Sequence, residues 1–428
     1  MSLSILAHSG GQKTQVLESH PRLRVAYLMY MITLLIFYLA TPAFSYLIFW
    51  EELPQLQLSA IHGLFLAFAF GLRFLLLLTG QMPVRNGYLA LGYLLLVWIS
   101  VLQIIWFPTI STQVGLEVFA STIAFTFINA WLVWLGGEAL AYLIRQRRRL
   151  TWIALFVVYL GLVFVILDGI RRGFAFYGKP FFAFQNPVSL EVYNYLALAD
   201  SLAIVGLLLL GISNRTFILY AVTLLLLLFA YSRTSFLLFL CVGLLLLSLR
   251  FRRRWKPQFI LALLGIAIIA LLAFIAYLVL VEAGVRILES IDLVLERMSI
   301  LFTGSDPSMQ SRLELLRQGL RLLEQHWLLG YFMGETVEAG KGAYIHNWLS
   351  FWLAYGIGPF VLSIWLLLSL IVKNWCQRKR NPLALIGFNL LVFVLLAVSF
   401  SRSYIWPYFW FGLSFGGAGL LSCRRRSI

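Results

Sequence analysis

The chain has 428 residues, of which 61% are hydrophobic and 12% are charged, about half the charged fraction of an average soluble domain. A soluble protein of this length could not bury so much apolar surface, so the composition excludes that class and indicates a polytopic membrane protein. The formal net charge of +16 does not indicate nucleic-acid binding, because the basic residues lie in short clusters between apolar segments.

Twelve apolar segments are predicted to cross the bilayer, which requires about 20 residues per helix. They cover residues 25–49, 59–80, 87–107, 114–144, 151–167, 192–212, 216–231, 234–249, 257–281, 346–372, 382–401 and 404–422. The chain is thus divided into a tail, nine spans, a large loop, three spans and a second tail. These parts are residues 1–24, 25–281, 282–345, 346–423 and 424–428. The predicted fold class is all-α and polytopic, with about twelve transmembrane helices and amphipathic helices in the large loop.

Lysine and arginine are unevenly distributed between the two sets of connections. The set that contains both termini holds 21 of the 33 basic residues and one acid, whereas the opposite set holds 11 basic residues and 13 acids. Because cytoplasmic loops are enriched in Lys and Arg, both termini are predicted to be cytoplasmic. The outer loops 168–190 and 282–345 then face outward, which in a bacterium means the periplasm.

Three arginines are the first candidate binding residues on the outer side. Arg171 and Arg172 lie in the outer loop 168–190 among aromatic residues, a mixture that would bind an anionic glycolipid and is equally typical of an interfacial aromatic belt. Arg233 lies between two short apolar segments. An arginine there is energetically expensive and is a candidate for function, although snorkelling or helix termination would also explain it.

An amphipathic helix is predicted in the loop 282–345. Asp306-Pro307 provides an N-cap acceptor followed by proline at the first helical position. The apolar stripe of this helix comprises Leu313, Leu316, Leu320, Leu323 and Trp327. A projection at about 100° per residue places Arg312 on the apolar side, whereas Arg317 and Arg321 face water. The inward arginine forms a salt bridge with an acid such as Asp292 or Glu296, snorkels to lipid headgroups, or clamps a phosphate group.

His346 is the candidate general base. It follows the flexible stretch Gly340-Lys341-Gly342-Ala343 and lies where the tenth span begins, beside the loop arginines. A histidine at a membrane interface is often structural, but a neutral imidazole there can take a proton from an attacking hydroxyl. Its neighbours Tyr344 and Asn347 are possible substrate-binding residues, and His62 could line the same cavity. The outer acids do not alternate with histidines as metal ligands would, so neither a metal nor another cofactor is expected.

Three segments together resemble the O-antigen ligase and O-antigen polymerase superfamily of bacterial inner-membrane glycan transferases. They are Tyr231-Ser232-Arg233-Thr234-Ser235, Ser311-Arg312-Leu313-Glu314-Leu315-Leu316, and Ile345-His346-Asn347 followed by Tyr355-Gly356-Ile357-Gly358. Each segment is short, but their order, predicted side and spacing over residues 232–358 form a moderately specific signal.

The resemblance implies a GT-C type fold in the bacterial inner membrane, with a periplasmic active site. The activity it implies is transfer of a glycan from undecaprenyl pyrophosphate to a sugar hydroxyl. The acceptor is lipid A–core oligosaccharide in a ligase and another lipid-linked repeat in a polymerase. By the resemblance, Arg233 and Arg312 bind the donor pyrophosphate and His346 is the base. The short spacing between Asn347 and Gly356 slightly favours a polymerase. A flippase or transporter of lipid-linked sugars is the alternative.

Overall fold

The protein is described here by a computed structural model, which covers residues 21–52, 58–78, 86–177, 193–213, 216–230, 232–251, 307–340 and 344–420. The regular elements in these ranges are helical. They are α1 (Pro21–Phe49), α2 (Leu58–Leu78), α3 (Gly87–Val114), α4 (Leu116–Ile123), a π-helical turn (Ala124–Ile128), α5 (Asn129–Gln146), α6 (Arg148–Tyr177), α7 (Tyr195–Ile212), α8 (Thr216–Phe229), α9 (Arg233–Phe251), α10 (Pro307–His326), α11 (Gly334–Ala339), α12 (Leu349–Tyr355), α13 (Ile357–Gln377), α14 (Pro382–Phe400) and α15 (Tyr408–Gly419).

Nine helices within the described ranges are long and apolar enough to cross a membrane. The predicted fold class is therefore confirmed, and the chain is an all-α polytopic membrane protein. The predicted span 257–281 lies outside the described residues. Two further predicted spans correspond to shorter apolar helices, α8 and α15. The number of twelve crossings stays a prediction.

Asparagine side chains define the starts of three bundle helices. Asn86, Asn194 and Asn381 each accept a hydrogen bond at Oδ1 from a backbone N–H in the first turn of α3, α7 and α14. Pro382 follows the last of these caps, at a position where its missing N–H costs no helical hydrogen bond. The caps satisfy donors that a lipid environment could not, so the sequence fixes where these helices begin.

Small residues allow the central helices to pack closely. Helix α15 packs extensively against α5. A Cβ at Gly137 of α5 would lie 2.2 Å from Ser414 Oγ, and one at Gly416 of α15 would lie 2.7 Å from a methyl group of Leu391. Close approach of backbones is the usual basis of helix association in membranes, where lipid competes for apolar contacts.

The predicted span 346–372 is broken in the structure. It consists of the short helix α12 and the span α13, separated by Gly356 at φ +77°. A Cβ at Gly356 would lie 2.2 Å from the carbonyl oxygen of Leu328, and Gly330, at φ +75°, approaches the same turn from the loop. The break therefore forms where the loop docks onto the membrane bundle, and only glycine fits at this contact.

The loop helix α10 covers Pro307–His326, and its buried face is narrower than the predicted stripe; the predicted N-cap Asp306 lies outside the described residues. Leu323 is buried and Leu316 is half-buried, whereas the other three members, Leu313, Leu320 and Trp327, are exposed. Helix α10 approaches the chain closely at Gly319, where an added Cβ would lie 2.3 Å from Ile345 Cδ1. Because the Gly319 side of the helix is packed, three of the five residues in the predicted stripe face outward.

Candidate active site

A cavity of about 520 Å³ lies among the ends of α1, α2 and α7, the loop helix α10 and the connection between α14 and α15. Its volume is within the usual range of small-molecule sites, roughly 300–1,000 Å³. Its wall includes two histidines, two arginines, one acid and the tyrosine beside His346. These residues are His62, Asp200, Arg312, Tyr344, His346 and Arg402. The cavity thus brings together Arg312, Tyr344 and His346, three of the residues that the sequence predicts for the site.

His346 is held as a neutral imidazole in this cavity. Burial, followed by the nearby positive charges of Arg312 and Arg402, lowers its pKa to about 4, and a hydrogen bond with the Ser401 backbone opposes the shift. The ring centroid of Tyr344 lies 4.8 Å from that of His346. Burial raises the pKa of the Tyr344 hydroxyl, so it stays protonated. Near neutral pH, His346 is therefore unprotonated, and one ring nitrogen is available as an acceptor beside the two arginines.

Arg312 occupies the position on α10 that helical projection predicts. It is half-buried and lines the cavity, whereas Arg317 and Arg321 are exposed on the same helix. The outward pair faces solvent because α10 turns its Gly319 side toward the bundle. Arg312 is thus the arginine that this helix presents to the cavity.

Arg402 is a cavity arginine that the sequence reasoning missed. Its Nε donates to Asp200 Oδ2 at 2.8 Å and its Nη2 donates to Asp200 Oδ1 at 2.7 Å, in a bidentate pair that is almost completely buried. Ser235 Oγ and Trp406 Nε1 also donate to the Asp200 carboxylate, at 2.6 and 2.9 Å. Four hydrogen bonds on one carboxylate fix the plane of the guanidinium in the cavity wall.

A signal for Arg402 exists in the sequence. Ser401-Arg402-Ser403 lies between two apolar segments, as Ser232-Arg233-Thr234 does. In the structure Arg233 begins α9 and is half-buried, and it is not among the described residues that line the cavity. Its neighbour Ser235 connects the two motifs through a hydrogen bond with Arg402 Nη2 at 3.2 Å. The pyrophosphate role of Arg233 stays a prediction.

Arg171 and Arg172 lie in a salt-bridge cluster on the outer part of α6. Arg171 Nη2 is 2.7 Å from Asp168 Oδ1, and Arg172 Nε is 2.5 Å from Asp168 Oδ2. Arg172 also pairs with Glu52 and lies over the ring of Trp50, 4.5 Å from its centroid. These i,i+3 and i,i+4 pairs extend α6 through Tyr177, into the predicted connection 168–190. Substrate binding by both arginines stays a prediction.

The comparison with known families bears directly on this part of the chain. A family model described as O-antigen ligase matches residues 217–357. The match supports membership of the O-antigen ligase and polymerase superfamily. It supports a glycosyltransferase-type enzyme and implies lipid-linked glycan substrates. Together with the apolar helices, it indicates a multi-pass bacterial membrane protein. The chain matches no curated protein.

The matched segment holds part of the cavity wall and the loop that covers it. Arg312 and His346 fall within residues 217–357, whereas Asp200 and Arg402 lie outside them. The superfamily match therefore covers the predicted cation and base, and the described fold adds the buried pair from α7 and from the connection between α14 and α15.

Asn347 and Glu335 act on the backbone around His346. Asn347 Oδ1 accepts a hydrogen bond from Leu349 N at 2.9 Å and so starts α12. Its predicted substrate contact stays a prediction. Glu335 is 7% exposed, and its Oε1 accepts from Ile345 N. Burial raises the pKa of the Glu335 carboxyl to about 8, so it is protonated near neutral pH. Glu335 is one of the outer acids that the sequence analysis considers only as possible metal ligands. Among the described residues, no group of three metal-binding side chains occurs.

Proposed function

We propose that this protein transfers a glycan from undecaprenyl pyrophosphate to a sugar hydroxyl at the periplasmic face of the inner membrane. One observation carries the proposal: a single cavity presents Arg312 and Arg402 beside the neutral imidazole of His346. Transfer from a pyrophosphate-linked donor requires stabilisation of an anionic leaving group and acceptance of one proton. These three side chains supply both functions.

The proposed reaction is a single displacement. The acceptor hydroxyl oxygen forms a bond to the anomeric carbon, and the bond from that carbon to the pyrophosphate oxygen breaks. The electron pair leaves with undecaprenyl pyrophosphate, and the hydroxyl proton moves to His346. Attack from the face opposite the leaving group inverts the anomeric centre.

The arginines act on the leaving group in this proposal. Guanidinium groups donate in a planar fork that matches phosphate oxygens, and preorganised donors in a water-poor site can lower a barrier by several kcal/mol. Asp200 occupies the Nε–Nη2 fork of Arg402, and Ser401 accepts from its Nη1, so in this proposal Arg402 acts through its fixed positive charge and Arg312 donates to the phosphate oxygens. Arg312 comes from the loop helix α10, so the two cations approach the cavity from different parts of the fold. With these two cations, the proposed mechanism needs no metal ion.

Two acceptors are compatible with this chemistry. The short spacing between Asn347 and Gly356 leads us to favour a polymerase, in which the acceptor is another lipid-linked repeat. In a ligase the acceptor would be lipid A–core oligosaccharide. Supplying the purified protein with one acceptor at a time separates the two activities, because only the correct acceptor gains a glycan.

The proposed orientation places both termini in the cytoplasm and the loop 282–345 in the periplasm. The excess of Lys and Arg on the side of the termini supports it. Single cysteines introduced at the exposed positions Arg317 and Lys379 test it in intact cells. A membrane-impermeant thiol reagent should label the first and spare the second, and the reverse result would overturn the orientation.

The activity is tested with full-length protein in proteoliposomes that contain a lipid-linked oligosaccharide and an acceptor. His346→Ala and Arg312→Ala should each lower the rate of glycan transfer at least a hundredfold, the usual scale for loss of a base or an anion donor. His326→Ala and Arg317→Ala are matched controls, because His326 packs on Tyr331 and Arg317 is exposed. Full turnover in both site variants would refute the proposed site. Lipid translocation without a new glycosidic bond would instead identify a flippase.

A further inference from the structure

We infer that the cavity contains a second, uncharged subsite, formed by Asn129 and His62, that binds the hydroxyl groups of a saccharide ring. This inference rests on the proposed function, because a glycan transferase must hold a sugar beside the pyrophosphate. Both residues line the same cavity as Arg312 and His346. Neither lies in the segment that matches the family model.

Asn129 provides the first observation. It is 5% exposed and lines the cavity, and its Oδ1 has no hydrogen-bond partner among the described residues. A buried polar atom without a partner destabilises a fold, and among the described residues that carry such an atom Asn129 is the one that lines this cavity. The atom is an acceptor, and the group that completes it must therefore be a donor.

His62 adds a second polar group at the same cavity. It is 2% exposed, and its Nε2 lies 3.4 Å from Thr41 Oγ1. Thr41 Oγ1 also donates to the carbonyl of Phe37 at 3.1 Å. A neutral imidazole has one donor and one acceptor nitrogen, and an amide has both a donor nitrogen and an acceptor oxygen. Asn129 and His62 can therefore hydrogen-bond the hydroxyl groups of a sugar without the guanidinium charge that Arg312 and Arg402 supply.

The backbone immediately before Asn129 departs from α-helical geometry. The π-helical turn Ala124–Ile128 ends immediately before it. Single π-helical turns are rare and frequently mark functional sites. An ideal Cβ at Gly63, the neighbour of His62, would lie 3.2 Å from Ile128 Cδ1, so α2 packs closely against this turn. The turn and the glycine together hold Asn129 and His62 at one cavity.

Aromatic rings complete the uncharged part of the wall. The Tyr38 ring centroid lies 5.5 Å from that of His62 and 6.1 Å from that of Tyr408, and both tyrosines line the cavity. Flat apolar faces beside hydrogen-bond acceptors match a sugar ring, which has C–H faces and an edge of hydroxyl groups. The positive charges of Arg312 and Arg402 suit the pyrophosphate group of a pyrophosphate-linked glycan.

Direct binding tests the subsite separately from catalysis. Full-length protein in nanodiscs is titrated with farnesyl pyrophosphate and with a panel of neutral octyl glycosides that differ in the sugar. Asn129→Leu and His62→Phe should weaken binding of the best glycoside roughly tenfold, the loss expected for one hydrogen bond near 1.4 kcal/mol, and leave farnesyl pyrophosphate within twofold. Arg312→Ala should do the reverse. Asn389→Leu is the matched control, because Asn389 is a buried asparagine with an unpartnered Oδ1 outside the cavity lining.

The outcomes separate this inference from the proposed function. If no glycoside binds, or if Asn129→Leu binds glycosides as the wild type does, the subsite is refuted while the transferase assay still stands. If Asn129→Leu weakens bare farnesyl pyrophosphate equally, Asn129 belongs to the anion site and the inference fails. Farnesyl pyrophosphate that carries a sugar shows which sugar the subsite binds. If Asn129→Leu weakens binding of this compound but not of bare farnesyl pyrophosphate, the subsite binds the donor sugar. If Asn129→Leu leaves binding of this compound unchanged, the subsite binds the acceptor sugar.

Discussion

Glycan transfer should persist at pH values where an ordinary histidine is protonated. Burial, Arg312 and Arg402 lower the pKa of His346 to about 4 from an ordinary value of 6.5. At pH 5.5 a base with a pKa of 4 is about 97% neutral, whereas a base with the ordinary pKa is about 9% neutral. The value of kcat/KM at pH 5.5 should therefore stay close to that at pH 7.5, instead of falling about tenfold.

A charge substitution links the pH profile to the site. Arg312→Gln removes one of the two cations that lower the pKa of His346. The midpoint of the acidic limb should move upward, toward 6.5, independently of how far the maximal rate falls. Arg317→Gln is the control, because Arg317 is exposed on the same helix and should leave the midpoint unchanged.

The assay is the initial rate of transfer in proteoliposomes, measured from about pH 3 to 8. A lowered histidine pKa means that the native state binds fewer protons than the unfolded state below about pH 6.5, so stability falls as pH falls. Thermal unfolding at each pH must therefore verify that the protein is folded. A wild-type midpoint near 6.5, or a midpoint that Arg312→Gln does not move, would refute a buried, cation-flanked His346 as the base.

Three further predictions concern stability, measured by thermal unfolding in detergent. Asp200→Ala should lower the free energy of unfolding by about 3–5 kcal/mol, because Arg402 is left buried without its carboxylate. Gly356→Ala should lower the unfolding temperature, because φ is +77° and the new Cβ would meet a backbone carbonyl at 2.2 Å. Glu335→Gln should be tolerated at pH 6, where the buried carboxyl, with a pKa of about 8, is protonated. The wild type should lose stability as pH rises from about 4.5 through 8, and Glu335→Gln should remove this dependence.

Each of these predictions has a matched control. For the buried pair, the double variant Asp200→Ala/Arg402→Met should recover part of the loss, because no unpaired charge remains. Gly161→Ala in α6 should be neutral or stabilising, because a Cβ there meets no heavy atom within 4 Å. Glu338→Gln, exposed on the same helix as Glu335, should leave the pH dependence intact. Unchanged unfolding of Asp200→Ala or Gly356→Ala would contradict the contacts described, as would equal instability of Glu335→Gln and Glu335→Ala at pH 6.

Local patterns predicted the features that depend on the helical period. The helix α10 and the inward side of Arg312 follow from the helical period of 3.6 residues per turn. Hydropathy likewise identified the apolar helices. These properties depend on a few neighbouring residues, so the sequence contains them directly.

Contacts between distant segments could not be predicted in this way. Arg402 and Asp200 are 202 residues apart, and their pairing depends on how α7 and α14 pack. The break at Gly356 depends on docking of the turn at Leu328, which belongs to the loop. An apolar segment with two glycines reads as a continuous span, because hydropathy does not report which backbone lies against it.

The contact between Gly330 and Gly356 also constrains how this chain can diverge. The two glycines are 26 positions apart, and a Cβ at Gly330 would lie 2.4 Å from the Gly356 nitrogen. A side chain gained at one position cannot be accommodated by shrinking the other, since neither has a side chain to lose. Descendants of this sequence should therefore keep both glycines or rebuild the loop and the following span in one evolutionary step.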